Sequence, residues 1–140
     1  WRRRTTITLP DGFSLDVLSL PDLVRAKKTQ RDKDWPMLRR LVEAHYFHGR
    51  GRPTPAQVRF WLLELRSPEL LIEVARRHRI ACETAARRRS LLQHAALGDP
   101  VTLDAALHEE EARERESDRC YWQPLRAELE QLRRLRVQDR

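Results

Sequence analysis

Repeated helix-start signals constrain this chain more than any other feature of its sequence. Each signal places a serine, threonine or aspartate one or two residues ahead of a proline; they are Ser19-Leu20-Pro21, Asp34-Trp35-Pro36, Thr54-Pro55 and Ser67-Pro68. Such side chains accept hydrogen bonds from the free N–H groups of a first helical turn, where proline also fits because it needs no partner for an N–H. The spacing of the signals predicts a mostly helical protein from residue 19 onward.

The residues ahead of the first helix have the pattern of strands. Residues 5–9 are rich in β-branched side chains and end at Pro10-Asp11-Gly12, and residues 13–18 alternate apolar and polar side chains. We therefore predict a short N-terminal β-hairpin. Because a two-stranded hairpin is marginal by itself, we expect it to belong to a larger sheet whose other strands are missing from this chain.

We predict the fold class α+β, mostly helical, with five to seven helices after the hairpin. The first two predicted helices cover residues 20–30 and 35–48, and a third begins after Thr54. A fourth begins after Ser67, and its pattern continues to residue 97 with a break of uncertain position. Gly98-Asp99-Pro100 stops that pattern, and Thr102 is predicted to cap a long charged helix over residues 103–120.

Charge divides the chain into three predicted regions. Residues 1–52 carry 12 Lys or Arg against 6 Asp or Glu, residues 53–98 carry 8 against 4, and residues 99–140 carry 8 against 11. The basic regions fit either a solvated surface or a patch that faces phosphate groups. No apolar run is long enough for a membrane span, and we expect a cytoplasmic protein in which Cys82 and Cys120 are reduced.

Positive charge is concentrated where the first predicted helix meets the second. Leu20, Leu23, Val24, Lys27 and Arg31 share one face of a helix at three-and-four spacing, so Lys27 continues an apolar stripe. A lysine in that position must reach back to water, pair with a carboxylate, or face the anion of a ligand.

Two interpretations of these cations remain open. In the structural one, Lys27 or Arg31 forms an ion pair with Asp34 that clamps the two helices together. In the functional one, Lys27, Lys28, Arg31 and Lys33 line a triphosphate or a nucleic-acid backbone, while Asp34 caps and orients the second helix.

The segment "LDVLSLPDLVRAKKTQRDKDWPMLRRLVE" arranges a strand, a turn and two charged helices in a fixed order. It resembles the C-terminal half of bacterial nucleotidyltransferase-fold proteins of the minimal DNA polymerase β-like type, which include abortive-infection AbiEii toxins. The resemblance covers residues 5–48 and includes a Leu-Ser-x-x-Asp-Leu turn, a helical lysine and an Arg-x-Lys-Asp element. The matching residues are Leu18, Ser19, Asp22, Leu23, Lys27, Arg31, Lys33 and Asp34.

The resemblance implies that the complete protein uses Mg²⁺ and a nucleoside triphosphate. That family places its metal-binding carboxylates in a Gly-Ser turn followed by an Asp-x-Asp strand. No Gly-Ser pair occurs in this chain, and its one Asp-x-Asp, Asp32-Lys33-Asp34, lies between two predicted helices. Asp16 is either a third carboxylate or a polar residue on an exposed strand face. We expect the catalytic part to lie upstream or to be lost, and this chain to be inactive alone.

A non-catalytic interaction module is the alternative function. Residues 69–92 have the pattern of a helix-turn-helix with a turn near Arg79 and Ile80, although the glycine usual in that turn is absent. The simpler interpretation is two core-packing helices with an arginine-rich outer face. The partner of such a module would be nucleic acid, RNA included, or another protein.

The remaining signals concern packing and association more than catalysis. His45 and His48 lie three residues apart, but no third ligand has a metal-binding spacing, so capping or packing is favoured. Pro124 either begins a last helix or kinks a continuous one. The apolar stripe that follows it would allow self-association, and its members are Leu125, Leu129, Leu132 and Leu135.

Overall fold

A computed structural model describes residues 4–138 of the chain, with side chains up to residue 136. Residues 1–3 and 139–140, at the outer ends of the predicted regions 1–52 and 99–140, lie outside the described part. The predicted α+β class is confirmed, because a β-hairpin is followed by seven helices in the described residues. The elements are β1 (Arg4–Thr8), β2 (Ser14–Leu18), α1 (Leu20–Lys27), α2 (Asp34–Gly49), α3 (Pro55–Glu64), α4 (Pro68–Arg77), α5 (Arg79–Ala86), α6 (Leu92–Leu97) and α7 (Pro100–Gln138).

The hairpin is antiparallel and has one polar and one apolar face. On the polar face, the Thr6 hydroxyl donates to Asp16 over 2.7 Å and Arg4 Nε lies 2.8 Å from the same carboxylate. The register pairs Ile7 with Leu15, so these side chains share the other face, and both are exposed. Every strand residue is exposed, which leaves the apolar face uncovered. The larger sheet expected from the sequence therefore stays a prediction.

One hydrophobic core joins helices from all three predicted regions. Trp61 and Tyr46 are the largest side chains that are almost completely buried, and their rings pack edge to face with centroids 5.1 Å apart. The smaller buried side chains around them include Val24, Leu38, Leu62, Leu65, Leu71, Leu92, Leu103 and Leu107. Because α7 contributes only Leu103 and Leu107 to the buried core, most of this long helix lies outside it.

The predicted helix starts are mostly confirmed, with small shifts. Thr54 forms a capping box with Gln57: its hydroxyl accepts from the Gln57 N–H at 3.3 Å, and its own N–H donates to the Gln57 side chain at 2.8 Å. Ser19 accepts from the Asp22 N–H at 3.4 Å. Ser67 precedes α4 but makes no capping bond, because its hydroxyl donates to Glu43 instead.

The predicted cap of the last helix was wrong by three residues. Asp99, rather than Thr102, accepts hydrogen bonds from the N–H groups of Val101 and Thr102, at 3.1 and 3.2 Å. Thr102 also donates its hydroxyl to Asp99, and these hydrogen bonds lower the pKa of Asp99 below its usual value. The helix thus starts at Pro100, and it continues through Pro124 as one helix.

The break that the sequence left unplaced is a pair of breaks. α4 and α5 are separated by His78 alone, and residues 87–91 separate α5 from α6. A helix-turn-helix joins its helices through a turn of about three or four residues. The single-residue connection at His78 differs from that arrangement, and it lies one residue before the predicted turn at Arg79. α5 packs instead against α3, α4 and α6.

The connection between α6 and α7 depends on the backbone conformation of Gly98, which a substitution can test. Its φ is +76°, a left-handed conformation that costs other residues about 1–2 kcal/mol. We expect Gly98→Ala to lower the free energy of unfolding by about that amount in urea denaturation. Gly51→Ala is the matched control, because Gly51 has no positive φ and open space around it. Equal effects of the two substitutions would contradict this account.

Candidate functional site

The connection between α1 and α2, residues 28–33, holds most of the predicted phosphate-binding residues, and we name it the α1–α2 loop. α1 ends at Lys27, where the sequence predicted a helix to residue 30. Arg31 therefore lies in the loop and does not share a helix face with Lys27, which corrects that prediction. Lys27 is half-buried, whereas Arg31 and Lys33 are exposed.

Lys28, rather than Lys27, reaches internal carboxylates. Its ammonium lies 2.7 Å from Glu64 on α3 and 3.1 Å from Glu114 on α7. All three side chains are less than one-third exposed, so the contacts are only partly screened by water. Lys28 thus fixes the start of the loop against two helices. This contact is a structural clamp of the kind the sequence suggested, made by a different lysine and different carboxylates.

Asp34 does not form the predicted ion pair or cap. No ion pair joins its carboxylate to Lys27 or Arg31 within residues 4–138; a hydroxyl group, that of Thr29, donates to it at 3.4 Å. α2 begins at Asp34 itself, so Asp34 occupies the first helical turn and Lys33 is the residue before the helix. The Asp34 side chain is buried, and its contact with the loop is the hydrogen bond from Thr29.

Three further contacts hold the α1–α2 loop in place. The buried indole of Trp35 donates to the Thr29 carbonyl at 2.8 Å. The Gln30 N–H donates to the Asp118 carboxylate of α7 at 2.9 Å. Asp32 receives a hydrogen bond from Arg115, also on α7, at 2.5 Å. Together with Lys28, these contacts fix the loop backbone on the side that faces the protein.

A cluster of two buried arginines and four half-buried charges lies beneath this loop, and we name it the buried ion network: Lys28, Glu64, Arg66, Arg89, Glu110 and Glu114. Arg89 is its most buried connection. Its guanidinium makes three hydrogen bonds to Glu110, of 2.7, 3.0 and 3.3 Å, and two of 2.9 Å to the carbonyls of Leu62 and Leu65. Leu62 lies in the last turn of α3 and Leu65 directly follows the helix, so Arg89 caps the end of α3 while it binds α7.

Arg66 continues the network toward the loop. Its guanidinium lies 3.4 Å from Glu110, contacts Glu114, and stacks over the Trp35 ring at 4.6 Å from the centroid. Glu114 therefore bridges Arg66 and Lys28. Because the side chain of Arg66 is only 4% exposed, its charge needs these partners to offset the loss of hydration. The network links the core helices, α7 and the loop in one arrangement.

The network changes the protonation of its most enclosed acid. Burial raises the pKa of Glu110, but the hydrogen bonds and charge of Arg89, together with the charges of Arg66 and Lys28, outweigh burial. The pKa of Glu110 is consequently below its ordinary value of 4.5. This carboxylate stays ionised at neutral pH and keeps its two arginines paired.

Three of the predicted phosphate ligands have no internal acid partner. Within the described part of the chain, Lys27, Arg31 and Lys33 form no ion pair, in contrast to Lys28. They occur at the end of α1, in the middle of the loop and just before α2. Of the four predicted phosphate-binding cations, one therefore holds the loop, and the other three have no internal acid partner that would compete with an anion.

Sequence reasoning missed the carboxylates of α7. Residues 103–120 were predicted only as a long charged helix, yet Glu110 and Glu114 are half-buried parts of the network. A signal was present: these residues continue the helix face of the buried Leu103 and Leu107 at intervals of four, three and four. Carboxylates on the core-facing side of a helix indicate buried basic partners.

Other candidate chemical groups serve packing. The buried Trp61 indole donates to His45 Nδ1 at 2.8 Å, which supports the packing role predicted for this histidine. Burial, and next the charge of His48, lower the pKa of His45. No group of three or more potential metal ligands occurs in the described residues. Cys82 is buried and Cys120 exposed, and neither is in a disulfide.

The helices of the described region contain no segment of the length and apolar character needed to cross a bilayer. Comparisons with protein-family models, with curated proteins and with solved structures each gave no match.

We expect the loss of Arg89 to be among the most destabilising single substitutions in this chain. Removing one partner of a buried ion pair leaves the other charge unpaired, and Arg89→Met should lower the free energy of unfolding by about 3–5 kcal/mol. Arg88→Met is the matched control, because the neighbouring Arg88 is exposed and should change stability by less than about 0.5 kcal/mol. A loss below 1 kcal/mol for Arg89→Met, by urea unfolding, would refute this role.

The lowered pKa of Glu110 predicts an acid-dependent loss of stability. Because its folded pKa lies below the unfolded value, the stabilisation is complete above about pH 4.5 and is lost as the pH falls through the folded pKa. We expect Glu110→Gln to be less stable than wild type at neutral pH, and the difference to shrink below pH 4.5. Urea titrations from neutral to acidic pH measure it; a difference independent of pH would be inconsistent with an ionised Glu110.

Proposed function

We propose that this chain is the helical, non-catalytic part of a nucleotidyltransferase-like protein, in which the α1–α2 loop contributes cations that bind nucleotide phosphates. The proposal is supported by the resemblance over residues 5–48. It is also supported by the position of Lys27, Arg31 and Lys33 around one short loop. Lys28, which the sequence grouped with them, has the separate task of holding that loop.

The observation that carries the proposal is the contrast between the two sides of the loop. Its inner side is fixed by Lys28, by the Gln30 N–H and by the Asp32 side chain, all of which contact α7. Its cations without acid partners extend from the same fixed backbone. A loop whose backbone is already fixed loses little backbone entropy when an anion binds, so more of the charge-assisted hydrogen bonding appears as affinity.

The residues present do not fit the metal ions that the family resemblance implies. Asp32 pairs with Arg115, whereas Asp34 is buried against Thr29, so the two carboxylates do not converge. Both oxygens of Asp16 are occupied, one by Thr6 and one by Arg4. The proposed contribution of this chain is therefore phosphate binding, and no step of phosphoryl transfer is assigned to its residues.

The proposal predicts that a loop variant loses nucleotide affinity selectively. In calorimetric titration of the chain with a nucleoside triphosphate, replacing Lys27, Arg31 and Lys33 with alanine should weaken binding at least roughly tenfold, because hydrogen bonds to charged groups contribute about 1.5–3 kcal/mol each. The control replaces Arg59, Arg87 and Arg88, which are exposed elsewhere on the surface, and removes the same charge. We expect the control to change the affinity by less than about twofold.

Two results would overturn the proposal. Equal weakening in both triple variants would mean that net charge alone attracts the triphosphate. Absence of binding by the wild-type chain at low salt would mean that the loop is not a phosphate site.

A basic surface for nucleic acid is the second candidate function. It is favoured by exposed arginines on α4, on α5 and in the connection after α5, among which Arg76, Arg79, Arg87 and Arg88 form no ion pair within residues 4–138. Nucleic-acid affinity would then fall steeply with salt, and the Arg59, Arg87 and Arg88 triple variant would lose more of it than the loop variant. The same pair of variants thus separates the two candidate functions.

A further inference from the structure

The last half of α7 leaves the core as a single exposed helix. Asp118, which binds the Gln30 N–H, is the last residue of α7 with a hydrogen bond or ion pair to another element in the described part. From residue 119 to residue 136 every side chain is exposed. At 1.5 Å per residue, the helix from residue 119 to its end at residue 138 extends for about 30 Å. Most of the stability of a helix in a protein comes from packing of its apolar face, and this segment has no packing partner in the described part of the chain.

This exposed helix carries an apolar stripe with the spacing of a coiled coil. Trp122, Leu125, Leu129 and Leu132 follow one another at intervals of three, four and three, and each is between 41% and 55% exposed. Such spacing places them at alternating a and d positions, which form the seam between paired helices. Pro124 falls at a c position, on the side away from the seam, where its ring does not enter the contact.

We propose that this stripe pairs with the same stripe of a second copy of the chain, with the two helices parallel. The charges beside the seam determine this choice of partner and direction. With Trp122 at a, the e positions are Arg119, Arg126 and Arg133, and the g positions include Tyr121 and Glu128. In a parallel pair each g residue faces the e residue five places further along the partner helix.

Parallel pairing therefore places an arginine of one helix beside an acidic or aromatic side chain of the other. Glu128 meets Arg133 of the second copy, and Tyr121 meets Arg126, an arginine–aromatic contact. In an antiparallel pair e positions face e positions, so arginines would oppose arginines. This charge pattern complements itself only in the parallel arrangement, which is the observation that commits the stripe to a second copy.

Two heptads of apolar residues form a small interface. The contact is well below the roughly 1,600 Å² of a standard protein–protein interface, so we expect dissociation constants in the micromolar range or weaker. Association of this kind depends on the local concentration of the chain. It involves no residue of the α1–α2 loop, so the inference stands independently of the proposed phosphate binding.

Sedimentation velocity over a range of micromolar concentrations tests the association. We expect the wild-type chain to shift from monomer toward dimer as its concentration rises. Leu129→Glu places a charge in the seam and should keep the chain monomeric throughout the range. Gln131→Glu adds the same charge at an outward c position and should leave the association unchanged. A wild-type chain that stays monomeric at every concentration would overturn the proposal.

A charge exchange tests the pairing of g with e. Glu128→Arg should weaken the dimer roughly fivefold, because two attractive contacts become repulsive. Adding Arg133→Glu to that variant should restore the wild-type affinity. Failure of the second change to restore it would contradict the parallel pairing.

Disulfide formation reports the direction of the helices. In a Cys120→Ser background, Leu132→Cys at a d position should oxidise rapidly to a covalent dimer, because d residues face each other in a parallel pair. In an antiparallel pair centred on the stripe, the two cysteines would lie about 15 Å apart. An associated chain that does not cross-link through this cysteine would exclude the parallel arrangement. Circular dichroism of each variant verifies that the helices remain folded.

Discussion

The three hydrogen bonds between the guanidinium of Arg89 and Glu110 are the contact on which the rest of the structure depends. Arg89 also donates to the carbonyls of Leu62 and Leu65, so one buried side chain joins the end of α3 to α7. Through Glu110 and Glu114 the same set of charges reaches Arg66 and Lys28, and through Lys28 it reaches the α1–α2 loop. The cost of removing these charges from water is offset because each has at least one close partner of opposite charge.

This arrangement assigns different tasks to neighbouring cations of one short segment. Lys28 is turned toward the protein and neutralised by Glu64 and Glu114, whereas Lys27, Arg31 and Lys33 have no acid partner within residues 4–138. An internal carboxylate pair thus fixes the backbone that carries the external cations. The exposed half of α7 begins directly after Asp118, whose carboxylate accepts the hydrogen bond from the Gln30 N–H of the loop. One helix therefore supports the proposed binding loop and carries the separate surface proposed for association.

Local sequence signals predicted the parts of the fold that depend on neighbouring residues. The hairpin, the start of α3 after Thr54 and the start of α4 after Ser67 each require only a few adjacent side chains, and these predictions were confirmed. The network depends instead on contacts between distant segments, such as Arg89 with Glu110. No local pattern specifies which buried acid a given arginine meets. The sequence therefore located the cations of the candidate site but did not show which of them is bound internally.

The central claim is that the buried ion network holds the α1–α2 loop in a form that binds phosphate. Glu114→Gln tests it most directly, because this change removes a negative charge near the loop and also loosens Lys28. The account predicts weaker triphosphate binding and faster hydrogen exchange of the Gln30 N–H, which is protected by Asp118. If charge attraction alone governed binding, the loss of this negative charge would strengthen triphosphate binding. Stronger triphosphate binding with unchanged exchange at Gln30 would contradict the claim.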